Sequence, residues 1–229
     1  RIHCKLLNEI SGKNSNITFA GVYDTNNSNA DEVNKLYNLK STGSFDELLE
    51  RIDTLIIVTP TLTHFEIAKK ALGKSINIFV EKPVTASLDE AKKLIKLAEN
   101  SKVKIQVGHV ERFNPALTSL DKFEMKPMFI ESHRLSQFNP RGTDVSVIQD
   151  LMIHDIDIIL HLVNSPIDKI DANGVAVISE EVDIANARLT FAGGCVANLT
   201  ASRISLKKMR KMRIFQQNAY ISLDFLNNK

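Results

Sequence analysis

Short apolar runs alternating with helix-forming segments dominate the first half of this 229-residue chain. The runs cover residues 17–23, 54–58, 77–80 and 104–107, and all are too short for a buried helix. A nearly unbroken run such as Thr54-Leu-Ile-Ile-Val58 suits a strand buried on both faces. Strands that alternate with helices predict a parallel sheet with crossover helices, the grammar of a doubly wound α/β domain. Two helix starts are spelled out by capping boxes, Ser44-Phe-Asp-Glu47 and Ser87-Leu-Asp-Glu90, in which Ser and Glu satisfy orphan backbone donors. Further helices are expected over 29–37 and 64–72, and residues 5–10 read as the tail of a first helix. Past the fourth run the grammar changes. A long helix is expected over 147–162, followed by strands at 170–177, 182–191, 196–201, 213–216 and 219–225. Strands that follow one another after a helix predict an α+β domain with a largely antiparallel open sheet. The expected division is a Rossmann-type domain over 1–112 and an α+β domain over 113–229.

Composition narrows the function classes. Hydrophobic residues make up 43% and charged residues 24%, an ordinary globular balance that excludes a disordered tail, a collagen-like repeat and a disulfide scaffold. With 29 basic and 27 acidic side chains the net charge is +2, so neither nucleic acid nor an anionic membrane is demanded as a partner. The one basic run, Lys207-Lys208-Met209-Arg210-Lys211-Met212-Arg213, reads as a solvated surface or an anionic-ligand contact ahead of an RNA patch. No apolar run approaches the ~18 residues that span a bilayer. The two cysteines, Cys4 and Cys195, form no metal-spacing motif, and a reduced, cytoplasmic protein is expected.

None of the nine glycines makes a Gly-x-Gly pair, the spacing that lets a backbone approach a pyrophosphate. The strand ending at Asp24 therefore reads as the second of a dinucleotide fold, with the first strand and its glycine loop expected upstream of Arg1. The second domain likewise reads as short at its C-terminal end. In this arrangement Asp24 meets ribose hydroxyls. The other reading is that Asp24 starts a turn. Three segments follow buried strands, at the strand ends where ligands bind in open α/β sheets. They are Val58-Thr-Pro-Thr-Leu-Thr-His64, Val80-Glu-Lys-Pro-Val84 and Gly108-His-Val-Glu-Arg-Phe-Asn-Pro115. Lys82 precedes a proline and so is extended. From there its ammonium can reach a substrate hydroxyl and, if partly desolvated, acquire a lowered pKa; it can equally be a surface lysine. The 147–162 helix carries Asp150, His154, Asp157 and His161 on one polar stripe. A carboxylate one turn before a histidine can orient its imidazole and raise its basicity. A solvated helix face and, less favoured, a metal site are the other readings, and no metal is expected. Arg112 can bind a carboxylate or phosphate bidentately, or brace the chain against Glu111, Asp150 or Asp157.

Thr-Pro-x-x-x-His, Glu-Lys-Pro and Asp150-x-x-x-His154, in this order and spacing, resemble the glucose–fructose oxidoreductase / inositol dehydrogenase / MocA-like (Gfo/Idh/MocA) family. The resemblance runs from His3 to about Asp224. It implies a Rossmann domain followed by an α+β domain whose open sheet often makes a homo-oligomer contact, as a dimer or tetramer. It also implies a catalytic set of Lys82, Asp150 and His154. Asp24, Thr59, Pro60, Thr61, His64, Glu81 and Lys82 would face the cofactor; Lys82, Arg112, Asn114, Asp150 and His154 would face the substrate. NAD is expected over NADP, because a carboxylate at Asp24 repels a 2′-phosphate and no Arg or Lys follows in Thr25-Asn26-Asn27. The expected reaction is hydride transfer from a secondary alcohol of a sugar or nucleotide sugar, with His154 as general base tuned near neutrality and Lys82 stabilising developing charge. The form Gly-His-Val-Glu-Arg-Phe-Asn-Pro is similar to members acting on UDP-N-acetylglucosamine-type sugars, including 3-dehydrogenases. A non-catalytic sensing or structural relative is the competing class.

Overall fold

A computed structural model describes residues 1–40, 42–140 and 143–229. The chain forms two compact units: 1–58, 66–80 and 92–106 in the first, and 59–65, 81–91 and 107–229 in the second. The segments that follow the first two parallel strands thus belong to the second unit.

Helices α1 (Ile2–Lys13), α2 (Asn27–Tyr37) and α3 (Phe45–Leu49) and strand β1 (Thr54–Ile57) lie wholly in the first unit, which also takes most of α4 (Thr61–Gly73), β2 (Asn77–Glu81) and α5 (Leu88–Ser101) and the start of β3 (Ile105–Gly108). The three strands form one sheet in the order β1-β2-β3, and β1 pairs with β2 in parallel. Leu55, Ile57, Ile78 and Val80 on the strands are buried with Ala68, Leu72 and Leu94 of the helices. The Ser87 box forms in full, whereas at Ser44 the cap bond forms and the Glu47 carboxylate takes the N–H of Gly43 instead. Glu47 N donates to Ser44 Oγ at 3.1 Å, and Ser87 and Glu90 exchange bonds at 3.3 Å each way. The run at 17–23, read as a strand, joins no ladder. Its backbone groups go to local partners instead: Ser11 Oγ donates to Ile17 O and accepts from Phe19 N, while Thr42 Oγ1 donates to Val22 O. An apolar run becomes a strand only when a neighbouring strand takes its donors and acceptors.

The second unit opens with α6 (Pro115–Thr118), N-capped by Asn114, and continues through β4 (Phe129–Leu135), a π-turn at Ile148–Met152 and α7 (Ile153–Leu162). Strands β5 (Ile167–Val175), β6 (Ile184–Phe191), β7 (Val196–Ser202), β8 (Met209–Gln216) and β9 (Ala219–Asp224) complete a six-stranded sheet in the order β5-β6-β7-β4-β8-β9. All neighbours are antiparallel except β4 and β7, which run parallel. One face packs Ile130, Leu189, Leu199, Met212 and Ile214 against Met152, Ile158 and Ile159. The other face carries polar pairs such as Arg213–Glu131 and Arg188–Asn198, with an aromatic row of Phe129, Phe215 and Tyr220.

Three expectations change here. The sheet has a central strand, β4, that hydrophobic alternation does not reveal: its inward positions after Ile130 are Ser132 and Arg134, both 1% exposed. The basic run is partly strand β8. Lys211 pairs with Asp224, Arg213 with Glu131 and Arg210 with Glu111. Finally, the helix expected over 147–162 is not uniform, because its first part is the π-turn. One further buried pair pins the β5–β6 connection. Asp183, fully buried, accepts from Arg203 Nε and from the backbone N–H groups of Val177, Ile178 and Ser179; the Ser179 N–H first, then those of Ile178 and Val177 and the Ser179 hydroxyl, hold its carboxyl below the usual carboxylate range. Among the described residues no helix is long and apolar enough to cross a membrane.

Core truncation should therefore divide the second unit by face. Leu199→Ala, fully buried, should cost about 2–5 kcal/mol in urea unfolding. Ile170→Ala, 59% exposed, should cost under ~0.5 kcal/mol. Equal losses would contradict the packing described.

Candidate active site

Lys82 stands immediately after β2 and before Pro83, with a cis peptide between them. Its ammonium donates to the backbone carbonyl of Asp150 at 2.7 Å and to Asp150 Oδ1 at 3.2 Å. Both side chains are largely but not wholly withdrawn from solvent, at 18% and 32% exposure. Gln149 Nε2 ties the same π-turn to the segment after Lys82 by donating to Ala86 O at 2.9 Å. A π-turn widens the hydrogen-bonded ring by one residue, and here it coincides with a carbonyl that takes a side-chain ammonium from 68 positions away. Two motifs far apart in sequence thus meet within the second unit.

His154 lies on the first turn of α7, four residues after Asp150. Its Nδ1 is buried without a hydrogen-bond partner. The expectation that Asp150 orients this imidazole is corrected: the carboxylate turns to Lys82. The expectation of a basicity near neutrality is also corrected. Burial first, and then the positive charges of Arg134, Lys82 and Arg210, push the imidazole down to about 2, so it is neutral throughout the working range.

The rest of the polar stripe is divided among other partners. Asp157 takes the Arg112 fork in a bidentate pair at 2.7 and 2.7 Å, which raises the guanidinium further. Of the two readings of Arg112, bracing against a carboxylate is the geometry observed. Asn114 is equally engaged, capping α6 and donating to Phe225 O at 3.1 Å. His161 lines a separate concavity of about 460 Å³ with Phe113, Leu117 and Phe123. Among the described residues no group of three or more His, Cys, Asp or Glu converges as a metal site.

The positions expected at the cofactor differ in how open they are. Thr59 and Pro60 are exposed and Thr61 opens α4. Helix N-termini favour anions and present free N–H groups. His64 is 1% exposed, with Nδ1 2.9 Å from Pro83 O and Nε2 2.9 Å from Thr59 O. It staples the Thr-Pro turn to the Lys-Pro turn and has no nitrogen left for a ligand. Glu81 ends β2, half-buried. In the first unit, Asp24 makes the turn that was its alternative reading. Its Oδ1 accepts from Asn26 N at 2.8 Å and its Oδ2 from Asn29 Nδ2 at 3.4 Å. A carboxylate accepts about four hydrogen bonds, so Asp24 keeps unused acceptor capacity.

Sequence reasoning missed Arg134 and Asp155, both buried and bonded to each other at 2.7 Å. The available signal was an arginine at an inward position of an alternating segment.

Comparison with known proteins agrees with this geometry. Residues 1–109 match a family described as an oxidoreductase family with an NAD-binding Rossmann fold, and residues 124–222 match the GFO/IDH/MocA C-terminal domain. The chain is 42% identical over 211 residues to UDP-N-acetylglucosamine 3-dehydrogenase of Acidithiobacillus ferrooxidans, covering 91% of this chain and 67% of that protein. It is 32% identical over 169 residues to the scyllo-inositol 2-dehydrogenase (NAD(+)) of Bacillus subtilis, covering 67% of this chain and 49% of the relative. The chain thus spans between half and two thirds of the length of these relatives. The crystal structure of the Acidithiobacillus ferrooxidans enzyme superposes with a TM-score of 0.86 at 41% identity, over 92% of this chain and 70% of that one. GenD2 from gentamicin A biosynthesis, solved in complex with NAD, shares the fold with a TM-score of 0.82 at 15% identity, over 95% and 68% of the two chains. With an NAD-binding Rossmann segment, the matching C-terminal domain and the Lys82–Asp150 contact in one chain, this protein belongs to the Gfo/Idh/MocA oxidoreductase family.

Proposed function

We propose that the chain is the NAD-dependent dehydrogenase of a nucleotide sugar, oxidising a secondary hydroxyl of a UDP-N-acetylglucosamine-type substrate at its 3-position. The observation that carries this reading is the Lys82–Asp150 hydrogen bond one helical turn from a neutral His154. The nucleotide-sugar class rests on the 42% identity to a UDP-N-acetylglucosamine 3-dehydrogenase. Bound NAD would supply the hydride acceptor, and Asp24 is the residue assigned to its adenosine ribose. Thr59, Pro60 and Thr61 are the turn assigned to the dinucleotide, with His64 keeping that turn in shape and Glu81 ending β2.

The chain's own groups then act on the substrate oxygen. Lys82, held by the Asp150 carbonyl, donates to the hydroxyl and supports the negative charge that builds there. His154 takes the proton. A base this weak keeps no proton at rest, so an acceptor nitrogen is always available. As the carbon gives up hydride, the oxygen becomes that of a protonated carbonyl, a strong acid, and even a weakly basic imidazole receives its proton. Arg112 and Asn114, engaged with Asp157 and Phe225, shape the substrate wall. A sensor without turnover would have no use for an ammonium, a carboxylate and a neutral imidazole gathered this way.

Steady-state assays of NADH formation from UDP-N-acetylglucosamine test this. Lys82→Met and His154→Asn should each lower kcat by roughly 10²–10⁴-fold with little change in NAD affinity. Asp24→Ala should instead raise KM for NAD. Full activity in either of the first two variants would overturn the catalytic assignment. The polar and aromatic outer face of the six-stranded sheet is assigned to a homo-oligomer. Sedimentation velocity should therefore find a dimer or tetramer that Phe215→Glu dissociates, and a monomeric wild type would refute that assignment.

Acid should weaken the fold through His154. In the unfolded chain the imidazole takes its proton near its ordinary value of 6.5, whereas in the folded chain it does so only at about 2. Folding stability is therefore lost progressively as pH falls below about 6.5, by roughly 2 kcal/mol on reaching pH 5. In His154→Gln, urea unfolding should lack that share of the decline. A variant that loses stability in parallel with wild type would mean the native imidazole titrates normally.

A further inference from the structure

The inner face of the sheet sets two arginines side by side, since the β4–β8 register pairs Arg134 with Arg210. Glu111 answers both, its Oε1 lying 3.5 Å from Arg134 Nη1 and 3.2 Å from Arg210 Nη1. On its other edge Arg134 donates from Nε and Nη2 to Asp155 Oδ1, at 3.0 and 2.7 Å. Asp155 is the residue directly after His154. The guanidinium is 1% exposed and rests 5.7 Å from the centre of the Phe225 ring. Four buried polar atoms in these residues have no hydrogen-bond partner: Arg134 Nη1, Glu111 Oε2, His109 Nδ1 and His154 Nδ1. A buried ion pair is seldom more stable than apolar side chains of the same volume. Stability alone is thus a weak reason for an arginine in the middle of a core strand.

We propose that Arg134 is the positioning residue for His154: clamped by Asp155 and Glu111, it fixes the turn of α7 that carries the imidazole and holds a cation near the ring. The inference rests on the dehydrogenase reading only for what the neutral ring then does. The charged groups around His154 come from every element packed there. Asp150, Asp155 and Asp157 stand on its own helix, Lys82 follows β2, and His109, Glu111 and Arg112 follow β3. Arg134 is on β4 and Arg210 on β8. The carboxylates are each taken by a cation, namely Lys82, Arg134, Arg112 or Arg210. The formal charges of these pairs cancel in sum; what acts on the imidazole after its burial is the nearby cations, Arg134 foremost among them.

The test follows the imidazole itself, by NMR of the ¹³C-histidine-labelled chain from pH 3.5 to 8, with the His154 signal assigned by its loss in His154→Gln. In the wild type the signal should not titrate in this window. Arg134→Gln should raise its midpoint into the window, and Arg134→Lys, which keeps the charge, should leave it outside. Should Arg134→Gln fail to fold, Arg134→Met with Asp155→Leu replaces the pair by apolar residues and should also raise the midpoint, by less because no bare carboxylate remains. A His154 that stays silent in the folded neutral variant overturns the proposal, and so does the same rise in Arg134→Lys. An acid limb in kcat should appear at the NMR midpoint. A ring that titrates without such a limb would overturn the catalytic role of His154 and leave the positioning intact, which separates the two failures.

Discussion

A fully buried guanidinium in the central strand of a sheet must find carboxylates, because an unanswered charge there costs several kcal/mol. Arg134 meets that requirement with Asp155 on α7 and Glu111 in the turn after β3. Those two contacts draw three parts of the second unit to one point: strand, helix and the Gly108–Pro115 turn. The position of the first turn of α7 follows from them, and so does that of His154. The same turn is held from its other end by Lys82 and Gln149, which bond the π-turn at Asp150 O and reach Ala86 O.

The two anchors have opposite effects on chemistry. Lys82 is tied down by the Asp150 carbonyl and carboxylate, two acceptors that leave the third ammonium hydrogen able to reach a substrate oxygen. His154 is surrounded by cations and buried, which withdraws basicity from it. The result is an acid–base pair that holds no proton on the imidazole before the substrate changes. Electrostatic preorganisation of this kind places charge where it develops and costs no rearrangement during reaction. His64 contributes to the same rigidity, since its two ring nitrogens fasten the turns after β1 and β2 to each other.

Much of the architecture was legible. The helix caps at Ser44 and Ser87 and the apolar runs of β1, β2 and β3 rest on local physics, and they form as read except that Glu47 returns its bond to Gly43. So do β6, β7 and β9, whose inward positions are apolar at every second residue. Strand β4 was not legible because Ser132 and Arg134 occupy its inward positions, so the period-two signal disappears. The run at 17–23 had the opposite fault: the right residues, but no neighbouring ladder to join. Lys82, Asp150 and His154 could be singled out from their motifs, yet their relations could not. Helical spacing put Asp150 beside His154, and it could not foresee that an ammonium from 68 positions earlier would take the carboxylate first.

The division has one cause. Periodicity, caps and turn residues act over a few positions, so the sequence by itself determined the elements, the α/β-then-α+β order and the residue types capable of the chemistry. It also carried the family likeness, since motif order and spacing are properties of the chain. Tertiary structure alone decided which charges neutralise which. The pairing of Arg112 with Asp157, of Arg134 with Asp155 and Glu111, and of Lys82 with Asp150 depends on side chains from different elements meeting within about 3.5 Å, where Coulomb energy and desolvation become large. The low basicity of His154 is the sum of those meetings and of its burial, and neither is written in the residues next to it.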